Sequence, residues 1–109
     1  MTRRAYLAVR AADLRSLADT GELPGDAYAC VVAASDDEQD EYDAMAVAGE
    51  IAEERWGSVL VIAMQAAAGP DGEVTGPVAL RDVAAIHVGD ELAWYATQEL
   101  DAVLEQIGA

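Results

Sequence analysis

Lysine and phenylalanine are absent from this chain, and cysteine and histidine occur once each. Without lysine there is no P-loop lysine, no Schiff-base partner for a pyridoxal group and no side-chain amine nucleophile. A lone cysteine, Cys30, closes no internal disulfide, so nothing calls for an oxidising compartment. No apolar run nears the ~18 residues that a membrane span needs. Two arginines follow the first methionine, but the apolar stretch and cleavage signal of a secretory leader do not, so the expected location is cytoplasmic. Hydrophobic residues still make up 53% of the 109 positions, which rules out wholesale disorder. Much of that share is alanine, so the core of this single domain should be shallow and closely packed.

Positive charge is scarce as well. Twenty-one acids face six bases, for a net charge of −15, and all six bases are arginine. Four of them (Arg3, Arg4, Arg10 and Arg15) precede residue 16 beside only Asp13, a local +3, so the remaining chain carries −18. Such a field repels nucleic acid, whose binding depends on neutralising phosphates, and disfavours anionic membrane surfaces. No nucleic-acid or membrane partner is therefore expected. Two readings of the acidity remain open: adaptation of the whole surface to salt, and a surface built to meet a basic partner.

Apolar periodicity outlines the elements. Arg4–Val9 reads as a strand. Ala11–Asp19 reads as a short helix with Leu14, Leu17 and Ala18 buried, stopped by Gly21 and Pro24. Ala27–Ala34 and Ser58–Met64 are nearly continuous apolar runs, the pattern of interior strands covered on both faces. Between them, Ser35 and Glu38 fit a capping box, and Tyr42, Met45, Ala46, Gly49, Ala52 and Trp56 form one helical stripe that Val47 and Ile51 fall outside. Gly69-Pro70-Asp71-Gly72 reads as a hairpin turn returning the chain antiparallel through Glu73 to Leu80. Val83–Val88 is a further strand. Gly89 breaks it, and Asp90 caps a closing helix that runs to Gly108 on the stripe Leu92, Ala96, Leu100, Val103, Leu104 and Ile107. The order β-α-β-α-β-β-(β)-α predicts an α/β fold, with α+β as the alternative. It should hold three helices and a mixed sheet of four or five strands, the first three parallel neighbours across helical crossovers.

The segments AAIHV (84–88) and ELAWYATQEL (91–100), together with an N-terminal strand, a Leu-rich first helix and GELP (21–24), resemble a family of small uncharacterised proteins from high-GC Gram-positive bacteria. Members of that family carry an acidic insertion between the His-containing strand and the Trp-Tyr segment. Here Val88-Gly89-Asp90-Glu91 joins the two directly, as in a shortened member. The resemblance implies a compact cytoplasmic fold and carries no site residues with it.

Few residues stand out as candidates for chemistry. His87 can serve as a base or ligand, but it has no Cys or His companion at metal spacing, and a hydrogen-bonded structural role competes. Cys30 reads as buried and inert. The acids Asp36, Asp37, Glu38, Asp40, Glu41 and Asp43 lack the glycine turn of a calcium loop and fit a solvated helix start, with docking of a basic protein as the alternative. Glycines 69, 72 and 76 lack phosphate-loop spacing, and Ser16, Ser35 and Ser58 lack a nucleophile-elbow context. Trp94 lies about 150° from the centre of the closing helix's stripe, which suggests an interface or ligand contact flanked by Tyr95 and Gln98, unless a loop covers the helix's first turn. The function expected from these features is non-catalytic binding, to a partner protein or to a second copy of the chain as a homodimer. The alternative is a small-molecule site or minor enzyme built on His87, Asp90 and Tyr95 at the strand-helix junction. No metal or cofactor is expected.

If the acidity is a surface adaptation, salt should stabilise the protein by screening self-repulsion. The urea midpoint should then rise clearly between dilute buffer and about 1 M potassium chloride, where the screening length is only ~3 Å. A midpoint that moves no more than ordinary salting-out allows would leave the basic-partner reading.

Overall fold

The computed structural model describes residues 2–25, 28–67 and 76–108. Seven strands and three helices follow in the order β1 (Thr2–Ala8), α1 (Ala11–Thr20), β2 (Glu22–Leu23), β3 (Ala29–Val32), α2 (Glu38–Trp56), β4 (Leu60–Ala67), β5 (Val78–Ala79), β6 (Val83–Val88), β7 (Ala93–Tyr95) and α3 (Leu100–Ile107). A five-stranded sheet in the order β3-β1-β4-β6-β7 forms the middle layer, and β2 pairs with β5 in a separate two-stranded ribbon. The expected α/β class and three helices are present, and no described helix is long and apolar enough to cross a membrane.

Strand pairing departs from the expected parallel neighbours. β1 is antiparallel to both β3 and β4, β4 to β6, and β6 to β7, so the large sheet is antiparallel throughout. Neither helical crossover yields parallel neighbours. β3 and β4, joined by α2, do run parallel to each other, since each opposes β1, but β1 lies between them and takes their hydrogen bonds. β1 and β3, with α1 and β2 between them in sequence, are antiparallel. Insertion of β1 also pushes β3 to the sheet's edge. Its four residues, Cys30 included, are half-buried rather than sealed. The turn at 69–72 lies outside the described residues. Val78–Ala79 pairs with β2 instead of returning along β4, and β6 supplies the antiparallel partner of β4.

The two faces of the sheet are packed very differently. Leu7, Ile62, Ile86 and Val83 meet Leu14 and Leu17 of α1 and Leu100, Val103 and Leu104 of α3 in the main core. The opposite face is thin: Val61, Ala63 and Ala85 of the sheet meet Ala44 and Ala48 of α2. Alanines therefore let helix and sheet approach closely there. The buried edge of α2 is Ala44-Ala48-Gly49-Ala52, not the stripe through Tyr42 and Trp56, and Tyr42 is 57% exposed. Val47, off the expected stripe, is exposed too. The cap also differs from expectation. Asp37 is the N-cap, accepting from Gln39 N at 3.3 Å, while Ser35 Oγ donates to Asp40 Oδ2 at 2.6 Å.

The closing helix is half its expected length. Gly89 (φ 81°) and Leu92 (φ 52°) turn the chain back, Leu92 N donates to Gly89 O at 2.8 Å, and β7 then pairs with β6. Extending the sheet satisfies the backbone of β6, and adjacent Trp and Tyr favour the extended state. Helix begins only at Leu100, after a 3₁₀ turn at Thr97–Glu99 in which Glu99 Oε1 accepts from Ala96 N at 3.2 Å. Leu100, Val103 and Leu104 of the expected stripe are buried. β6 itself is irregular: Ala63 pairs with Ala85 but Met64 pairs with Val83, so Ala84 bulges out, exposed. The bulge puts Val83 on the main-core face with Ile86, whereas simple alternation would set it beside Ala85 and His87.

One buried carboxylate begins the main core. Asp13, nearly sealed at the start of α1, accepts from Arg10 N at 2.9 Å and from the Arg10 guanidinium at 3.2 and 3.1 Å. Asp13→Ala should lower stability by about 2 kcal/mol, because a buried donor loses its acceptor at a helix start. Urea unfolding with an unchanged m-value measures this.

Candidate functional site

Between α2 and the far end of the sheet lies an open groove of about 270 Å³. The strand register accounts for it. Tyr6, Ala63 and Ala85 form one row across the sheet, and Ala8, Val61, His87 and Trp94 the next. Alanines in the middle leave a low floor, with larger side chains standing at the ends. Arg4 and Tyr6 come from β1, His87 from β6 and Trp94 from β7, while Glu38, Glu41, Tyr42 and Met45 of α2 form the other wall. Trp94 is 62% exposed, and with Tyr42 it gives the groove two of the large exposed apolar side chains of the described residues.

His87 is 9% exposed and held in one orientation: its Nδ1 lies 3.2 Å from the carbonyl oxygen of Leu92. A carbonyl only accepts, so Nδ1 carries the proton and Nε2 of the neutral ring presents a lone pair. The left-handed backbone of Leu92 aims that carbonyl. A leucine in this region is strained, and its side chain lies over Gly49, where an added Cβ would come within 3.3 Å of both Leu92 Cδ2 and Val59 Cγ1. Tyr6, 5% exposed, stands on the same floor. Among the described residues no buried side-chain nitrogen or oxygen lacks a hydrogen bond. His87 Nε2 and Tyr6 Oη have no protein partner there, so both must open to solvent, and they open into this groove. The Arg4 guanidinium likewise forms no ion pair among the described residues.

Both rings are neutral near pH 7. Burial lowers the His87 pKa first of all; the Leu92 hydrogen bond opposes the shift and the Arg4 charge adds to it. Burial raises the Tyr6 pKa, helped by the Glu41 carboxylate and opposed by Arg4. The floor thus offers a neutral acceptor nitrogen and a neutral hydroxyl beneath two exposed aromatic faces. Such a site suits recognition by hydrogen bonding and stacking.

The structure brings together only part of the residue set expected from sequence. Trp94 is exposed as expected, but as the strand neighbour of His87 rather than on a helix. Tyr95 pairs with Ile86, packs toward the main core and donates its hydroxyl to Gln106 Oε1 at 2.9 Å, so it does not meet His87. Asp90 lines a neighbouring cavity with Tyr42, Gly49 and Leu92. Gln98 lines another beside Ala18 and Asp101, away from Trp94. The sequence does not mark Arg4, Tyr6 or Tyr42 as site residues, whereas Glu38 and Glu41 belong to the acid run weighed there for docking a basic protein. Tyr6 left a faint signal, a hydroxyl inside an otherwise apolar interior strand. Arg4 left none, because its neighbours are set by pairing across β4. Among the described residues no group of three or more His, Cys, Asp or Glu side chains converges as a metal site. The chain matches no protein-family model, no curated protein and no solved structure, so the functional reading rests on the groove's geometry.

The His87 shift has a sign that can be checked. A ring whose pKa falls on folding favours the native state above the ordinary value of 6.5, and that stability is lost as pH drops through the lowered value. NMR of this single histidine should therefore give a midpoint below 6.5. Stability should be flat above that pH and fall below it, and His87→Gln should remove this part of the slope.

Proposed function

We propose that the chain is a non-catalytic binding protein and that a partner protein docks in the groove between α2 and the sheet, anchored by Trp94 and Tyr42. One observation carries the reading: two large exposed aromatics, from elements distant in sequence, flank the same opening. Interfaces concentrate their energy in a few Trp, Tyr and Arg side chains set in such concave patches. The partner is a different protein rather than a second copy, because two chains of −15 repel one another over a broad front. A second reading, a small-molecule site, draws support from the free His87 Nε2, which gives a ligand a fixed acceptor.

Affinity capture from a lysate of the source cells, with immobilised wild type, Trp94→Ala, Tyr42→Ala and Gln98→Ala, tests the proposal. The wild type and Gln98→Ala should retain a partner that the two aromatic variants lose, with Trp94→Ala costing ~2 kcal/mol or more of association. Retention by Trp94→Ala overturns the reading. Sedimentation equilibrium should show the wild type monomeric at moderate salt, whereas dimers abolished by Trp94→Ala would place a second copy in the groove.

A further inference from the structure

Resting on that docking reading, we propose that the occupant of the groove is a basic segment carrying an arginine, whose guanidinium lies between Trp94 and Tyr42, donates to His87 Nε2 and faces Glu38 and Glu41. Three independent features of the groove ask for the same group. The first is the pair of exposed π-faces, from β7 and α2, on one opening. A planar, weakly hydrated guanidinium stacks on such faces better than a compact ammonium does. The second is the acceptor at the bottom. His87 is nine-tenths buried, its Nδ1 proton is committed to Leu92, and the unbonded Nε2 opens into the groove. A neutral Nε2 can only accept, so its partner must bring an N–H or O–H. The third is charge. Glu38 and Glu41 stand on the groove wall, and Asp36, Asp37, Asp40 and Asp43 continue the acidic start of α2 beside them. No base occurs on α2 before Arg55.

Arg4 is the one groove residue that opposes a cation. It stands on β1 two residues beyond Tyr6, with β4 between it and the His87 strand and two rows away in register, and its charge favours the neutral, accepting form of the ring. It therefore confines an incoming cation to the Trp94–Tyr42 side while keeping His87 competent to bind. The charged and titratable groups facing His87 across the groove are Arg4 and Tyr6 from β1 and Glu38, Glu41 and Tyr42 from α2. Protonation of His87 replaces the accepting lone pair at Nε2 with an N–H, so binding must weaken as pH falls through the His87 titration, which burial holds below its ordinary value.

The test uses the full chain and four acetylated, amidated peptides in which glycine alternates with arginine, citrulline, lysine or glutamate. The ring resonances of His87, free of overlap because no other histidine exists, report occupancy directly. The arginine peptide should shift them saturably and more tightly than the lysine peptide, while the citrulline and glutamate peptides leave them in place. Its affinity should fall severalfold as pH drops through the His87 midpoint read from the same resonances, and His87→Gln, which keeps an acceptor, should bind with no such dependence. Trp94→Ala, exposed and so neutral for folding, should weaken binding about tenfold. An arginine peptide that leaves His87 unshifted, a citrulline or lysine peptide that binds as well, or affinity indifferent to Trp94 overturns the inference. If the peptide fails while capture of a protein partner still depends on Trp94 and Tyr42, the nature of the occupant is wrong and docking stands. If capture is also indifferent to them, docking falls with it.

Discussion

Contact between alanines on α2 and alanines on the sheet sets the shape of this molecule. Ala44 and Ala48 pack on Ala63 and Ala85 with little side-chain bulk between the two backbones. That face gains modest hydrophobic energy, and the burden of stability falls on the leucine-rich layer beneath, where α1 and α3 cover Leu7, Ile62 and Ile86. A thin upper layer also means that any large residue near its edge must stand clear of the interface. Tyr42 on the helix and Trp94 on the sheet do so, and the low floor between them is the groove. One packing choice thus fixes how close the helix sits and where the open surface lies.

The groove is also where this fold departs from local preference. Leu92 accepts a strained backbone conformation, β6 carries a bulge at Ala84, and a nearly buried histidine opens one nitrogen to water. Each is costly in isolation, and the three occur on one hairpin. Strained and irregular geometry tends to gather where a chain must aim particular atoms. Here the aimed atoms are the Leu92 carbonyl and, through it, the imidazole.

Much of the architecture was legible in the sequence because it depends on local pattern. The strand at Arg4–Val9, the continuous apolar run at β4, the Leu14–Leu17 edge of α1 and the Leu100–Leu104 edge of α3 all report burial that local pattern can read, whereas the equally apolar run at β3 is only half-buried. Pairing was not legible, because nothing in β3 or β4 says that β1 will slip between them. The segment 91–99 misled for a physical reason. Leu92, Ala96 and Leu100 keep helical spacing, yet pairing with β6 outweighed it and drew Trp94 and Tyr95 into a strand. The site was the least legible part. His87 and Trp94 were singled out, but Arg4, Tyr6 and Tyr42 reach them only through register across three strands and the rotation of α2, both of them long-range properties.

The position of β3 has a consequence for colloidal behaviour. It is one of the two edge strands of the sheet among the described residues, and Ala29–Val32 is short, apolar and free of the lysine or proline that commonly discourages edge-to-edge association. Opposing such pairing is the charge of the whole chain, a surplus of fifteen negative charges acting at long range. Such a guard depends on the solvent. High ionic strength shortens its reach to a few ångströms, and acid neutralises the carboxylates that provide it. Edge-to-edge pairing through those four residues is therefore least opposed in concentrated, salty or acidic solution.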